Sequence, residues 1–258
     1  MDLGLYVHIP FCYAKCKYCD FLSFTSNDQI NSYIEALIKE IKAYSTILKK
    51  EYIIKTIFIG GGTPTVLSPL LLSKLCEAIV LHFNLSKDVE WTIEANPGTL
   101  TKELVHTFKR YPVNRVSLGL QAVQEDILKN LGRIHTFNDW EKSINLLLEN
   151  DITNINTDMM FALPGQKLLD LERTLESITH FDISHISAYA LIIEEGTPFD
   201  KLYQQGKITL PDEDEDRKMY HFIKTFLASK GYEQYEISNW AKNGKYCKHN
   251  ISYWIREP

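Results

Sequence analysis

Short β-branched runs alternating with amphipathic helical stretches constrain this chain more than any other feature. Residues 3–9 read as a buried strand, which Pro10 ends by removing a ladder donor. Over residues 27–49 the apolar positions Ile30, Tyr33, Ile34, Leu37, Ile38, Ile41, Tyr44 and Leu48 recur at three and four, the period of one long amphipathic helix. Residues 53–59 are continuously apolar and β-branched, as in a strand covered on both faces. Ser68-Pro69 is an N-cap with proline at the first helical position, and it opens a helix to Phe83. The rhythm continues with a strand at 89–95, a helix at 101–110 and a strand at 115–120. A helix follows a Thr136 cap with Asp139 three residues on, and then come a strand at 154–161, a helix at 168–181 and a strand at 185–189.

Strands alternating with helices predict an α/β fold of parallel βα units joined by right-handed crossovers. The units number six, fewer than the eight of a closed barrel, and functional groups in such folds gather at the carboxyl ends of the strands. Past Thr197-Pro198 the rhythm changes, which divides the chain into residues 1–200 and 201–258. Asp212 to Asp216 reads as a solvated acidic helix start that complements the helix dipole, with the helix running to Lys230, Gly231 as its C-cap and a further strand at 232–237.

A formal charge of −5 argues against a generic nucleic-acid binder, which needs a basic face. The opening MDLGLYVHIP carries no export signal, and no apolar run approaches the length of a membrane span. Five cysteines, an odd number with three clustered, suit a reducing cytoplasm better than a disulfide scaffold.

Those three form Cys12-x3-Cys16-x2-Cys19, directly after the first strand, in YVHIPFCYAKCKYCDF. Thiolates so close on a loop can converge on one soft metal centre. A structural zinc site needs four ligands, usually two separated pairs, and no second pair lies nearby. An iron–sulfur cube held by three cysteines keeps one iron open, which points to chemistry at that corner. Gly60-Gly61-Gly62 after the second strand either makes a tight turn or lets a ligand approach the main chain, and it is no phosphate loop because no lysine follows. Glu94 stands at the end of the third strand, where a carboxylate is a solvated strand end or a cap partner.

The spacing, with Tyr18 before the last cysteine, resembles the cluster motif of the radical S-adenosylmethionine (SAM) superfamily. The resemblance implies an incomplete parallel (β/α)6 barrel, with the start of a C-terminal α+β extension in this chain. It also implies a [4Fe-4S] cluster on Cys12, Cys16 and Cys19, with SAM chelating the fourth iron. Matching residue by residue, it implies a SAM site made of Tyr6, Tyr18, Gly61, Gly62, Thr63, Glu94, Gln121, Arg133, Asp158 and Ala190. Asp158 suits ribose hydroxyls, and Arg133 can grip a carboxylate with two parallel hydrogen bonds.

YVHIPFC, SLGLQ, ALPG, AYAL and YEISNWA narrow the resemblance to the oxygen-independent coproporphyrinogen III oxidase-like branch, over essentially the whole chain. Enzymes of that branch carry a further cysteine two positions after the third; here that position is Phe21. Phe21, the immediate start at the first strand and His249-Asn250-Ile251-Ser252-Tyr253-Trp254 instead resemble the haem chaperones of the branch. The implied function is binding haem as cargo, with His249 as the haem contact, and passing it to respiratory haem proteins, with a low-potential electron donor as further partner. The implied location is the cytoplasm, peripheral to the membrane during delivery. Cys247 is close enough in sequence to reach the same iron, Cys76 reads as core, and His8, His135 and catalytic residues receive no assignment. Two readings stay open beside it: oxidative decarboxylation of a tetrapyrrole's propionates, and an iron–sulfur protein that ignores SAM. Ending at Pro258, where resembling proteins continue into a further domain, is expected of a truncated chain.

Overall fold

The computed structural model describes residues 1–256; Glu257 and Pro258, where truncation is expected, lie outside the described residues. Its strands are β1 (Asp2–Ile9), β2 (Ile53–Gly61), β3 (Leu85–Ala95), β4 (Arg115–Gln121), β5 (Ile155–Phe161), β6 (His185–Ala190), β7 (Glu233–Gln234) and β8 (Asn239–Ala241). Its α-helices are α1 (Ile30–Leu48), α2 (Pro69–His82), α3 (Lys102–Arg110), α4 (Glu125–Leu131), α5 (Phe137–Leu148), α6 (Leu168–Thr179), α7 (Pro198–Gln204), α8 (Glu213–Ser229) and α9 (Lys248–Ile255). They form one sheet in the order β1-β2-β3-β4-β5-β6-β8-β7, parallel from β1 to β6 and antiparallel beyond. The expected incomplete (β/α)6 barrel is therefore present, and the last hairpin extends it past β6.

Helix starts follow the capping signals. Ser68, Thr101, Thr136 and Asp212 each accept a backbone N–H with their side chains, Thr136 and Asp139 as a full capping box. Gly231 sits just past α8 at φ +81. Five elements depart from the expectations, among them strand β8 and helix α9, which no local pattern marks. Helices α4 and α7 are short and carry few apolar repeats, and the expected strand at 232–237 pairs only at Glu233–Gln234 because the chain turns back into β8.

Strand alternation sorts side chains into two environments. Outward-facing Ile57, Ile59, Trp91, Ile93, Val116, Leu118 and Ile186 are fully covered by the helices, where each large aliphatic side chain contributes roughly 1.5–3 kcal/mol. Inward-facing Thr56, Glu90, Thr92, Arg115, Ser117, Asn156, His185 and Ser187 are equally buried but polar. They are joined across strands: Asn156 Nδ2 donates to Ser117 and Asp158, and His185 and Ser187 contact Asn156 Oδ1. The barrel thus has a hydrogen-bonded polar lumen instead of an apolar core.

Helix α9 occupies the amino-terminal end of that lumen. Its N-cap residue, Cys247, makes no side-chain cap, so the orphan N–H groups are met from elsewhere. Glu90 of β3 supplies them: Lys248 N and His249 N donate to its carboxylate at 3.0 and 3.1 Å, and the Cys247 thiol lies 3.7 Å away. Negative charge at a helix N-terminus also complements the dipole. Glu90→Gln should loosen α9 by roughly 1–2 kcal/mol. Amide hydrogen exchange checks this: Lys248 and His249 should lose protection while amides of β4 keep theirs, and unchanged protection of both would refute the cap.

Candidate functional site

The cysteine loop is pinned where it leaves and re-enters the sheet. Cys12 N donates to Phe24 O and Phe24 N to Pro10 O, closing the loop at its base. Gly62 N and Thr63 N donate to Ile9 O and Phe11 O, tying it to the glycine turn after β2. On its far side, Lys17 N donates to Leu131 O, and Lys17 O accepts from Phe199 N at 2.9 Å. These bonds hold Cys12, Cys16 and Cys19 on the wall of one cavity of ≈ 360 Å³ at the carboxyl ends of the strands.

That cavity gathers most of the expected site: the three cysteines with Tyr18, Gly61, Gly62, Glu94, Gln121, Arg133 and Asp158. Four expected residues stand outside its lining. Thr63 lies behind the Cys12 sulfur, its hydroxyl donating to Sγ at 3.5 Å. Ala190 ends β6 beside Tyr189, which does line the cavity. Tyr6 lies within β1 and not at its end, and with His249 it lines a second, smaller chamber of ≈ 170 Å³ deeper in the lumen. The chambers share Glu94, Ser117, Asp158 and Tyr189 as a neck.

The glycine turn is built for close approach. Gly61 has φ +114, and a Cβ there would stand 2.4 Å from the His8 ring. At Gly60 a Cβ would meet Glu94 Oε2 at 2.7 Å, so the missing side chain lets the carboxylate lie against the turn and accept from Gly61 N at 2.9 Å. Gln121, at φ 74, holds a left-handed conformation that a non-glycine residue seldom takes, at the mouth of the cavity. Arg133 is more engaged than a free carboxylate clamp. Its Nη2 donates to Asn96 Oδ1 at 2.6 Å and to Gly119 O at 2.5 Å, and its Nη1 to Cys16 Sγ at 3.5 Å.

The donor set fits a multi-iron cluster. All the cysteines are free thiols, and among the described residues no three His, Cys, Asp or Glu side chains are gathered closely enough to hold a single ion. A cube spreads its thiolates over separate irons, as three sulfurs around the wall of a shared cavity allow. Burial holds the Cys19 thiol above its usual range, so ligation there must displace a proton.

His249 is deeply buried. Its Nδ1 lies 2.8 Å from Thr56 Oγ1 and its Nε2 3.2 Å from Tyr253 OH, while the ring stacks on Phe58 with centroids 5.4 Å apart. Burial lowers its pKa, favouring neutral imidazole. Cys247, also buried, belongs to this lower region, whereas Cys76 lies in the core, its thiol pushed up to about 12 by burial.

Asn96, Ser117, Met160 and Tyr189 line the cavity without having been expected there. Strand alternation is the signal that finds three of them: once Glu94, Gln121 and Asp158 face inward, Asn96, Ser117 and Met160, two or four positions away, do so too; Tyr189 on β6 has the opposite parity to the expected Ala190 and carries no such signal.

Glu94 is the electrostatic centre. Burial first, and the nearby Asp158 second, push its pKa up to about 7, against the Gly61 N–H bond and Arg115. Because the folded value exceeds the unfolded one, the associated stability is fully present below about 4.5 and is lost as pH rises through about 7. The loss is at most about 3 kcal/mol, less whatever the cavity solvent screens. Urea titrations near pH 5 and pH 8 should show this loss in the native protein and a smaller one in Glu94→Gln. A cation seated beside Glu94 favours its ionised form, so SAM should bind more tightly as pH rises through about 7. Calorimetry across that range checks the second outcome; pH-independent affinity would contradict it.

Residues 6–178 match the Radical SAM superfamily. Over 255 residues the chain is 41% identical to the heme chaperone HemW of Bacillus subtilis, covering 98% of this chain and 67% of that protein. With HemW of Escherichia coli the identity is 36% over 257 residues, covering 98% and 66%. The chain thus spans about two thirds of the length of these curated relatives. Among solved structures, coproporphyrinogen III oxidase (HemN) from Escherichia coli superposes with a TM-score of 0.84 at 24% identity, covering 93% of this chain and 56% of that one; the likeness is one of fold. The chain belongs to the radical SAM superfamily and, within it, to the HemW family.

Proposed function

We propose that residues 1–200 form the cofactor-binding barrel of a haem chaperone and that residues 201–258 begin the region that handles its cargo. The observation that carries this reading is identity of 32–41% to heme chaperones along 97% or more of the chain. A [4Fe-4S] cluster and SAM are the cofactors of the superfamily. Cys12, Cys16 and Cys19 would hold the cluster, and Tyr18, Gly61, Gly62, Thr63, Glu94, Gln121, Arg133, Asp158 and Ala190 would surround SAM. When bound, the cluster supplies an open iron for the amino and carboxylate groups of SAM and a source of one electron.

The chain's own residues then do three things. Glu94, fixed against the glycine turn, offers a carboxylate to a cationic ligand at the neck of the two chambers. Asp158, braced by Ser117 and Asn156, keeps its oxygens oriented at the same neck. Tyr6 closes the lumen beneath them from β1, its hydroxyl 2.9 Å from His8 Nδ1.

Haem enters this reading as cargo. His249 is the proposed contact, and with both ring nitrogens engaged inside the lumen it would reach an iron only after α9 leaves its seat. Exposed Tyr253, Trp254 and Ile255 on the same helix would then offer apolar cover for a porphyrin face. The proposed acceptors are respiratory haem proteins, with a low-potential reductant as the electron source. The proposed setting is the cytoplasm, at the membrane surface during delivery; among the described residues no helix is long and apolar enough to cross a membrane.

Haem titration followed at the Soret band tests the proposal. The native protein should shift the band, His249→Ala should lose most of the shift, and Glu90→Gln should bind faster because its α9 is released more readily. An undiminished shift in His249→Ala removes that residue from the haem site. Incubation with coproporphyrinogen III, SAM and a reductant should leave the tetrapyrrole unchanged, and formation of protoporphyrinogen would replace the chaperone reading with an enzymatic one.

A further inference from the structure

Two of the three cluster thiols are linked by a continuous hydrogen-bond chain that the cofactor reading leaves unused. Thr63 Oγ1 donates to Cys12 Sγ at 3.5 Å, and Asn96 Nδ2 donates to Thr63 Oγ1 at 2.7 Å. On the other side Arg133 Nη2 donates to Asn96 Oδ1 at 2.6 Å, and Arg133 Nη1 donates to Cys16 Sγ at 3.5 Å.

The direction of every proton in this chain is determined. A guanidinium has donors only, so the Asn96 atom facing Arg133 must be the carbonyl oxygen. The amide nitrogen therefore faces Thr63 and uses a lone pair of its hydroxyl oxygen. The single hydroxyl proton of Thr63 is left to point at the Cys12 sulfur. Turning the amide over would set NH2 against guanidinium and draw the Thr63 proton toward Asn96 and away from sulfur. Asn96 stands on the inner face of β3's end, two residues past Glu94, and touches neither sulfur itself.

We infer that Asn96 is a positioning residue that aims one donor at the Cys12 sulfur and another at the Cys16 sulfur, and so sets the reduction potential of the cluster they hold. The inference rests on the cofactor reading above. A cluster gains negative charge on reduction, and donors to its sulfur ligands stabilise that charge, raising the potential. Without Asn96 the Thr63 hydroxyl is free to rotate, and Arg133 keeps only Gly119 O as an anchor for its Nη2.

Redox titration of the anaerobically reconstituted protein, followed by electron paramagnetic resonance with iron and sulfide counted in each sample, tests the assignment. Asn96→Ala should carry a normal cluster with a lower midpoint potential than the native protein. Thr63→Val, which removes only the Cys12 donor at nearly constant shape, should fall between the two. Equal potentials in all three loaded proteins would overturn the inference. If Asn96→Ala loads no cluster, Asn96→Asp decides: it keeps an acceptor for Arg133, loses the donor to Thr63 and adds negative charge, so its potential must drop, and an unchanged value refutes the role. Native protein that takes up no iron at all would overturn the cofactor reading itself, a failure recognised by metal content before any potential is measured.

Discussion

Parallel pairing of β1 to β6 in unbroken chain order is the constraint on which everything else depends. It sends every strand's carboxyl end to one rim, so the cysteine loop after β1, the glycine turn after β2, Glu94 near the end of β3 and Asn96 just past it, Gln121 at the end of β4 and Asp158 of β5 meet without any long connection crossing the fold. Helices cover the outward faces and supply the burial that holds the sheet together, leaving the inner faces free of that duty. Part of the polar lumen is satisfied internally, Asn156 serving Ser117, Asp158, His185 and Ser187, while Thr92 Oγ1 and Arg115 Nε are buried without a partner among the described residues.

The lumen divides into two chambers at a neck. Above it, sulfur, backbone N–H groups and a carboxylate of raised pKa face a cavity suited to a cationic ligand beside a metal cluster. Below it, α9 seats His249 against Thr56 and Phe58, and the seat is held by the Glu90 carboxylate at the helix N-terminus. The residue proposed for the cargo is therefore stored in the same lumen as the proposed cofactor residues, one chamber deeper. Glu94 and Asp158 belong to both chambers.

Much of this was legible in the sequence because the determining signals are local. Strand and helix periods gave the βα units, the cap residues Ser68 and Thr136 marked helix starts within a residue, and cysteine spacing after the first strand announced the loop. What escaped depends on partners distant in the chain. Helix α9 has an N-cap that makes no side-chain bond, and its cap comes from Glu90 across 158 positions, so no local pattern marks it. The short α4 and α7 lack enough turns to show a period. Tyr6 was placed at the SAM site by resemblance, yet its position midway along β1 directs it into the lower chamber. The place of Asn96 on the cavity wall follows from alternation with Glu94, but its part as a link is defined by Thr63 and Arg133, which lie 33 and 37 positions away.

The central claim is that three sulfurs on one cavity wall hold an iron–sulfur cube whose remaining iron is open to SAM. Iron, sulfide and zinc analysis of anaerobically reconstituted protein, joined to the resonance spectrum of the reduced cluster with and without SAM, tests it most directly. A cube with an open iron contains about four irons and about four sulfides per chain and gives a spectrum that changes when SAM is added. Zinc in place of iron, or a cluster spectrum indifferent to SAM, would contradict it.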